Sequence, residues 1–431
     1  MRIGIVGTGI AGLTAAWYLN RAGHHVTVFE QHASFGMAAQ CVEFELGDTS
    51  GTPHLLYSDV PPRMFNSVQW PNLWQLYRDI GVEIQAVNPT KTFAGTDQAA
   101  ILKLAENYQP RLSASLLSPA TRTILKDIGR MMIAAPKYLE QHLPPDRKSV
   151  DTPESKLTMG EYLESNRYSN EFTYQFLYPA LSSTVCTCSY ESLNRYPATT
   201  LLEAMLNLVD PEGLSRTTHG TQDVVSRLSS QFDEVHLGTS IASVLQTEST
   251  GEITTDGGET FRFDHVVVAT QANTAIGLVE SISEKEQQAL QLFEYEQVET
   301  LVHTDTALMP KRRKDWSTFN MISNSDNSAA MCSIFLNQFY PEWNCDQDVF
   351  QTIMPLNAAH PETIITRASM QRPVVTLGSA EGHQLLAQIH AERNRRIWFC
   401  GSYASPGVPL LESGVSSAIG VTDRLLAPAV I

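Results

Sequence analysis

The chain has 431 residues, of which 42% are hydrophobic and 18% are charged, and this globular composition excludes a disordered or collagen-like protein. Its 30 Lys and Arg against 46 Asp and Glu give a net charge of −16, which argues against nucleic acid or anionic membranes as partners. No apolar stretch approaches the ~20 residues that span a bilayer, and the N-terminus lacks a secretory signal, so we expect a cytoplasmic protein without a transmembrane segment.

The first thirty residues contain the sharpest pattern, a strand, a turn, a helix and a second strand. Residues 2–6 are a short apolar run typical of a buried parallel strand, residues 13–21 have helical spacing, and residues 25–30 form a strand that ends in an acid. Buried strands recur much later, at residues 264–270 and 396–401, and a final helix is predicted from Ser413 to Leu426.

The middle of the chain has a different character. From residue 70 to about 210, apolar residues recur at helical spacing, which indicates an inserted helical region. A length of this size also favours two domains over one core. We predict a discontinuous nucleotide domain, interrupted by a substrate domain. The nucleotide domain comprises residues 1–60, 211–294 and 386–431, and the substrate domain comprises residues 61–210 and 295–385.

The first turn has the spacing GxGxxG. Gly7 permits a tight turn, Gly9 lets the backbone approach a pyrophosphate, and Gly12 lets the helix pack closely against the strands. The N–H groups that open the helix attract phosphate. Glu30 follows at the distance of an acid that binds both ribose hydroxyls, and its charge disfavours NADP. These residues predict a dinucleotide site, with a purely structural glycine turn as the alternative.

The rest of the chain favours FAD over NAD as the dinucleotide. A simple NAD dehydrogenase would continue with alternating strands and helices, whereas this chain returns to buried strands only near its end. A long ligand lying across the sheet needs a second helix N-terminus at its flavin end. We expect Gly414, at the start of the last helix, to offer N–H groups to the flavin O2/N1 edge.

These motifs together resemble the flavin-containing amine oxidase superfamily, which includes monoamine oxidases, phytoene desaturases and protoporphyrinogen oxidases. The resemblance rests on residues 7–13, Glu30, and residues 235–241, 265–270, 399–401 and 412–414. Within this group the chain is most similar to flavoproteins predicted to bind NAD or FAD and often associated with cyclopropane fatty acid synthases. That likeness rests on residues 64–66, 70–73, 302–306 and 309–310.

The resemblance implies an α/β fold. It consists of a Rossmann-type FAD-binding domain with a parallel sheet and an inserted, mostly helical substrate domain that includes a mixed sheet. It also implies contacts to the cofactor along most of the chain, with Ile241 at the adenine. The implied contacts are Gly7, Gly9, Ile10, Ala11, Gly12, Glu30, Gln31, Arg63, Ile241, Ala269, Thr270, Gly401, Ser402, Ser413 and Gly414.

The sequence departs from the family pattern in two places. A Gly-Gly pair with a basic residue usually follows the ribose acid, but residues 36–39 read Gly-Met-Ala-Ala, so a cation at the pyrophosphate is missing. Arg63 is the candidate replacement; a substrate carboxylate or a surface salt bridge are its alternatives. The C-terminal Gly-Asp reads Gly401-Ser402 here. No cysteine matches a position for covalent flavin attachment, so we expect noncovalent FAD.

Three residues are candidates for catalysis by the same resemblance. His303 falls near a lysine that binds water at flavin N5 in amine oxidases, and it could hold that water, act as a base, or simply pack. Asp305, two residues on along the strand, could orient the imidazole or form a salt bridge. Tyr403 falls where amine oxidases place aromatic residues against the flavin, although ordinary loop packing is the alternative.

The six cysteines add no second site to this picture. Their low density and the absence of paired CxxC motifs predict reduced thiols and no metal centre. Cys186 and Cys188 would face opposite sides of an extended segment, so we expect no bridge between them.

We therefore expect an FAD-dependent oxidoreductase that transfers hydride from a substrate C–H to flavin N5, by oxidation or desaturation. The substrate classes left open are an amine, a fatty-acyl chain and an isoprenoid, with molecular oxygen as a candidate electron acceptor. The acidic net charge slightly favours a cationic amine. A flavin-dependent isomerase or saturase without net oxidation and a non-catalytic FAD-binding partner protein are the alternatives.

Overall fold

A computed structural model of the chain describes residues 1–47, 53–105, 109–111, 118–143, 157–207 and 213–427. The strands are β1 (Arg2–Val6), β2 (His25–Phe29), β3 (Val42–Gly47), β4 (Pro53–Ser58), β5 (Ile84–Val87), β6 (Lys91–Ala94), β7 (Ala100–Leu104), β8 (Leu214–Thr217), β9 (Glu234–His236), β10 (Ile241–Gln246), β11 (Gly251–Thr255), β12 (Thr260–Phe263), β13 (His265–Val268), β14 (Glu294–His303), β15 (Phe319–Ser323), β16 (Ala330–Phe335), β17 (Phe350–Ile353), β18 (Ile364–Val374) and β19 (Ile397–Phe399).

The helices of the described residues follow in the same chain order. They are α1 (Ile10–Arg21), α2 (Pro71–Asp79), α3 (Pro119–His142), α4 (Met159–Ser165), α5 (Asn170–Phe172), α6 (Tyr178–Ala180), α7 (Tyr190–Arg195), α8 (Ala198–Asn207), α9 (Gly220–Ser229), α10 (Ala272–Leu278), α11 (Glu284–Gln291), α12 (Leu336–Phe339), α13 (Leu377–His390) and α14 (Leu411–Leu426). Two π-helical segments, Thr173–Leu177 and Leu181–Cys186, continue α5 and α6 without a break. None of these helices combines the length and the hydropathy needed to cross a bilayer.

A five-stranded parallel sheet carries the predicted nucleotide motif. Its order is β19-β13-β1-β2-β9, and every neighbouring pair is parallel. Ile5, Val28 and Val267 are fully buried on one face, under α1 and α14. Strands covered on both faces read as continuous apolar runs, which is why the sequence identified them. The predicted α/β fold with a parallel sheet is confirmed.

A second sheet has seven mixed strands in the order β18-β14-β17-β16-β15-β6-β7. Only β6 and β15 pair in parallel, and the other neighbours are antiparallel. Helices dominate the described part of residues 70–210, as predicted, but β6 and β7 within it add two strands to this mixed sheet. These strands are short, and β6 pairs on one side with β7 and on the other with β15, more than two hundred residues away. The proposed division into two discontinuous domains stays a prediction.

The N-termini of α1 and α14 meet at one edge of the parallel sheet. A Cβ added to Gly414 would lie 2.6 Å from Cγ2 of Ile10, so glycine permits this close approach of the two helices. Helix α14 begins at Leu411, two residues before the predicted start at Ser413. The turn at residues 7–12 and the start of the last helix therefore open on the same space.

Candidate active site

Each of the three glycines in the turn at residues 7–12 has a different structural role. Gly7 has a φ of +96°, a backbone conformation that residues other than glycine rarely adopt. A Cβ on Gly12 would lie 2.0 Å from the carbonyl oxygen of Gly7, so any other residue would open the turn. A Cβ on Gly9, by contrast, would meet no atom within 4 Å. The backbone at Gly9 is thus uncovered, and a phosphate has room to approach it.

The first turn of α1 offers backbone donors beside this opening. Gly9 is the N-cap and has no side-chain capping bond, and the first N–H to bond within the helix is that of Leu13, to the Gly9 carbonyl at 3.0 Å. The N–H groups of Ile10, Ala11 and Gly12 consequently have no helical acceptor. Together with the open backbone at Gly9, they fit the phosphates of a dinucleotide.

Glu30 is buried at the end of β2, where it is held by the turn. Its Oε2 accepts hydrogen bonds from the Thr8 N–H at 3.0 Å and the Thr8 hydroxyl at 2.6 Å, and its Oε1 accepts from the His32 N–H at 3.0 Å. The Thr8 hydroxyl accepts in turn from the Gly36 N–H at 2.6 Å. A carboxylate has about four acceptor positions, so one remains for a ribose hydroxyl.

The role predicted for Gly414 is wrong in one respect. Because α14 starts at Leu411, the Gly414 N–H already donates to the Leu410 carbonyl at 3.2 Å and cannot serve a flavin. The open donors at this helix end are those of Leu411, Glu412 and Ser413. The Glu412 carboxylate reaches out of the helix and accepts from the Asn72 and Leu73 N–H groups, at 3.2 and 2.8 Å, so it caps α2.

One cavity of about 930 Å³ extends from the turn to the seven-stranded sheet. Four of the predicted cofactor residues line it: Ile10, Arg63, Ser402 and Ser413. Ala269 and Thr270 follow β13 beside Gly7, and Gln31 is exposed next to Glu30. Two others lie behind the lining: Ile241 starts β10, and the Gly401 N–H donates to Ser417 Oγ at 3.0 Å.

Arg63 lies where the sequence lacks the expected cation. It lines the cavity beside Gly36 and Met37, donates to the Met37 carbonyl at 2.7 Å and also donates to the Thr221 hydroxyl. Burial alone would lower the pKa of Arg63, but Asp59 together with Cys41, Tyr77 and Tyr57 outweighs it, and the net effect raises the pKa. A firmly charged guanidinium is therefore available to an anionic group at this end of the cavity.

His303 does not reach the cavity, which corrects its predicted catalytic role. The ring is fully buried at the end of β14 and packs on Phe350, with 5.6 Å between ring centroids. Its Nδ1 accepts from the Asp305 N–H at 3.1 Å, and its Nε2 donates to Thr352 Oγ1 at 2.7 Å. Burial lowers the pKa of His303 to about 4, so the imidazole is neutral and structural.

Asp305 and Tyr403 are also not positioned for the predicted catalysis. The Asp305 carboxylate accepts from the Ala307 N–H at 2.9 Å and the His360 N–H at 2.8 Å, so it caps a turn rather than orienting the imidazole. Tyr403 is buried against Phe293, with 4.9 Å between ring centroids, and none of the described residues forms a hydrogen bond with its hydroxyl. Neither side chain lines the cavity.

The sequence reasoning missed three further charged side chains that line the cavity. Lys91 on β6 and Arg372 on β18 line it, together with Glu203 on α8. Burial lowers the pKa of Lys91 to about 8, and its ammonium donates to the Pro89 carbonyl at 3.4 Å. Lys91 and Arg372 are 281 positions apart in the sequence (372 minus 91), so no local spacing could indicate that they line the same cavity.

The two close cysteines lie near Arg372, and the expectation that their side chains face opposite sides is wrong. Thr187 between them has a left-handed φ of +53°, so the segment is not extended. Both side chains consequently lie in one buried hydrophobic cluster. The neighbouring Cys186 side chain, and to a smaller extent burial, raises the pKa of Cys188, so this thiol is neutral.

Comparison with known proteins agrees with this geometry. A family model described as flavin-containing amine oxidoreductase matches residues 10–342. No curated protein sequence matches the chain.

Solved structures with the same fold cover nearly the whole molecule. Wild-type putrescine oxidase bound to putrescine has a TM-score of 0.66 at 14% identity, covering 99% of this chain and 100% of that one. The CLA-producing fatty acid isomerase from P. acnes has a TM-score of 0.66 at 14% identity, with 99% of each chain covered. Cyclohexylamine oxidase from Brevibacterium oxydans IH-35A has a TM-score of 0.66 at 14% identity, with 99% of each chain covered. The chain belongs to the flavin-containing amine oxidoreductases and is an FAD-dependent oxidoreductase.

Proposed function

We propose that this enzyme oxidises or desaturates a lipid-like small molecule whose apolar part fills the inner end of the cavity. The observation that carries the proposal is the lining of that cavity. Its inner walls come from the seven-stranded sheet, from α3 and from the π-helical segments, and they are almost entirely apolar. The apolar lining residues include Phe93, Leu104, Leu125, Ile128, Phe176, Leu177, Phe319, Met321 and Met370, and we call this part the apolar chamber.

An apolar chamber of this kind favours an apolar ligand for a simple reason. Apolar surface that moves from water to such a wall gains roughly 25 cal/mol per Å². The few polar groups then fix the orientation of the ligand. A compact, doubly charged polar amine would lose its hydration in the chamber without replacing it.

The cofactor end of the cavity is assigned to FAD in the same proposal. We infer that the open N–H groups of Ile10 to Gly12 hold the phosphates, with Arg63 as the cation and Glu30 at the ribose. The N–H groups that open α14, next to Ser413, would then face the flavin end. Bound FAD supplies the electron acceptor, which the protein side chains cannot provide.

The chain's own residues would hold the substrate and exclude water. Of the described residues that line the cavity, Lys91 and His383 can exchange a proton near neutral pH, and burial lowers the pKa of both. The His383 Nε2 already donates to the Tyr403 carbonyl at 2.8 Å. Lys91 is therefore the better candidate if a proton leaves the substrate with the electrons.

Anaerobic mixing of the FAD-loaded protein with three apolar compounds tests the proposal. The compounds are decylamine, linoleate and geraniol, which represent an amine, a fatty acid and an isoprenoid with activated C–H bonds. We expect at least one of them to bleach the oxidised flavin band. A flavin that stays oxidised with all three contradicts the proposal. Rearranged product without lasting bleaching or oxygen consumption indicates the isomerase alternative instead.

A further inference from the structure

Arg372 is a half-buried cation for which the described residues supply no matching anion. It lies near the end of β18 and lines the cavity. Its Nη2 donates to the Pro409 carbonyl over a long 3.4 Å, and its buried Nε has no hydrogen-bond partner among the described residues. No ion pair joins Arg372 to a carboxylate among the residues that the structure describes.

The nearest acid along the sheet is already occupied. Glu296 on β14 lies directly opposite Arg372 in the ladder, so their side chains share a face of the sheet. Its carboxylate accepts from the Ser189 N–H at 2.9 Å, the Ser189 hydroxyl at 3.1 Å and the Ser192 hydroxyl at 2.7 Å, so it caps α7. The other close groups are Tyr196, the thiols of Cys186 and Cys188, and the cationic Arg63, and none of these is a carboxylate that could balance the charge.

A partly desolvated guanidinium without an anionic partner destabilises the protein unless a ligand supplies the anion. It does not escape this penalty by losing its proton. Burial does lower the pKa of Arg372, but from a value far above neutral pH. An unpaired cation that lines a cavity is therefore expected to be stabilised by a bound anionic ligand.

Cations outnumber acids among the described residues that line the cavity. Arg63, Lys91 and Arg372 line it, against the two acids Glu203 and Glu412, and Glu412 is committed to capping α2. The cavity is thus the more cationic part of a chain whose net charge is −16. This lining favours an anionic ligand, in contrast to the expectation of a cationic amine from the acidic composition.

We propose that Arg372 binds the carboxylate of a substrate whose apolar tail lies in the apolar chamber, so that the substrate is an apolar acid rather than an amine. The planar guanidinium suits a carboxylate because two parallel N–H groups can donate to its two oxygens. The inference rests on the proposed function and narrows its substrate class. Arg372 touches the substrate but takes no proton or electron.

Calorimetric titration of the FAD-loaded protein with decanoate, decanamide and decylamine tests this assignment. The three ligands share one tail and carry a negative, a neutral and a positive head group. We expect decanoate to bind most tightly and decylamine most weakly. In Arg372→Met the affinity for decanoate falls at least ~30-fold, while the affinity for decanamide stays within about threefold.

Two controls separate this role from a structural one. Arg367 lies on the same strand but is exposed and paired with Glu299 at 2.7 Å, so Arg367→Met should leave all three affinities unchanged. Because Arg372 has no anionic partner in the described part of the chain, Arg372→Met should keep or raise the Tm, whereas loss of a structural arginine lowers it.

The proposal is overturned if decylamine binds more tightly than decanoate, or if Arg372→Met leaves decanoate binding unchanged. It is also overturned if the variant weakens FAD binding and all three ligands equally, which would make Arg372 a cofactor contact. Calorimetry reports binding whether or not the flavin is reduced, so this outcome is independent of the flavin-bleaching test of the proposed function.

Discussion

The two ends of the cavity are built by different means. At the turn, backbone geometry does the work: three glycines and the open N–H groups of α1 lie within six consecutive residues. At the apolar chamber, side chains from β6, α8, β15 and β18 converge from distant parts of the chain. The first kind of site is visible in a local pattern, whereas the second exists only after the strands have paired.

Two basic side chains on neighbouring strands sharpen this contrast. The buried His303 on β14 has a partner for each ring nitrogen, and Thr352 continues the chain of hydrogen bonds to Ser333 at 2.7 Å. The half-buried Arg372 on β18 has a buried Nε that finds no partner in the part of the chain that the structure describes. A satisfied buried group is part of the core, and an unsatisfied one that lines a cavity is a candidate for binding.

The largest expected effect is a difference in stability between substitutions at two glycines of the turn. Gly12→Ala places a Cβ 2.0 Å from the Gly7 carbonyl oxygen, so we expect the free energy of unfolding to fall by about 3 kcal/mol or more. Gly9→Ala meets no atom within 4 Å and should leave the apoprotein within about 0.5 kcal/mol of wild type. Denaturant unfolding of the apoproteins measures both.

The Gly12→Ala and Gly9→Ala variants also separate loss of the turn's structure from loss of a contact with the cofactor. Gly9→Ala should weaken FAD binding about tenfold or more, because its methyl group occupies the space beside the open backbone. A Gly9→Ala protein with unchanged FAD affinity would contradict the assignment of the turn to the cofactor.

The next prediction concerns the neutral state of His303. Its pKa is about 4 in the folded protein against 6.5 unfolded, so between these values only the unfolded chain binds the proton. Stability therefore rises with pH from 4 to 6.5 and is lost as pH falls through this window, by about 3 kcal/mol. Urea unfolding of wild type and His303→Gln across this range should show a flatter curve for the variant.

The control for that experiment is internal. Both proteins keep His390, whose pKa burial lowers to about 3, so their difference isolates His303. Turnover of His303→Gln should stay within about threefold of wild type. Parallel stability curves, or a loss of turnover without a loss of stability, would restore the catalytic interpretation.

A smaller effect is expected where Glu412 of α14 caps α2. Glu412→Gln loses the charged acceptor for the N–H groups of Asn72 and Leu73, and we expect a loss of about 1 kcal/mol of stability. Thermal unfolding measures it, with Glu43→Gln, at an exposed position of β3, as the control. Equal Tm values for the two variants would exclude the capping role.

The smallest effect is expected at Tyr403. No described residue forms a hydrogen bond with its buried hydroxyl, so Tyr403→Phe should keep or raise stability by up to about 1 kcal/mol. The absorption spectrum of bound FAD should not change. A shifted flavin spectrum in this variant would mean that the ring contacts the cofactor after all.

How much the sequence predicts follows from the range of the interactions. The turn, Glu30 and the buried strands were predicted because glycine spacing and apolar runs are set within a few residues. The start of α14 was placed two residues late because Leu410 offers no recognisable capping side chain. His303 was misjudged because its partners, Thr352 and Phe350, lie on β17, about fifty residues away. Arg372 could not be found at all, since the absence of a partner is visible only in three dimensions.

The central claim is that FAD and an apolar acid share one cavity. Titration of the FAD-loaded protein with decanoate, followed by flavin difference absorption, tests it most directly. We predict a saturable perturbation of the flavin bands that disappears in Met370→Trp, which fills the apolar chamber, while FAD remains bound. Decanoate that binds by calorimetry without perturbing the flavin, or a perturbation that survives Met370→Trp, would contradict the claim.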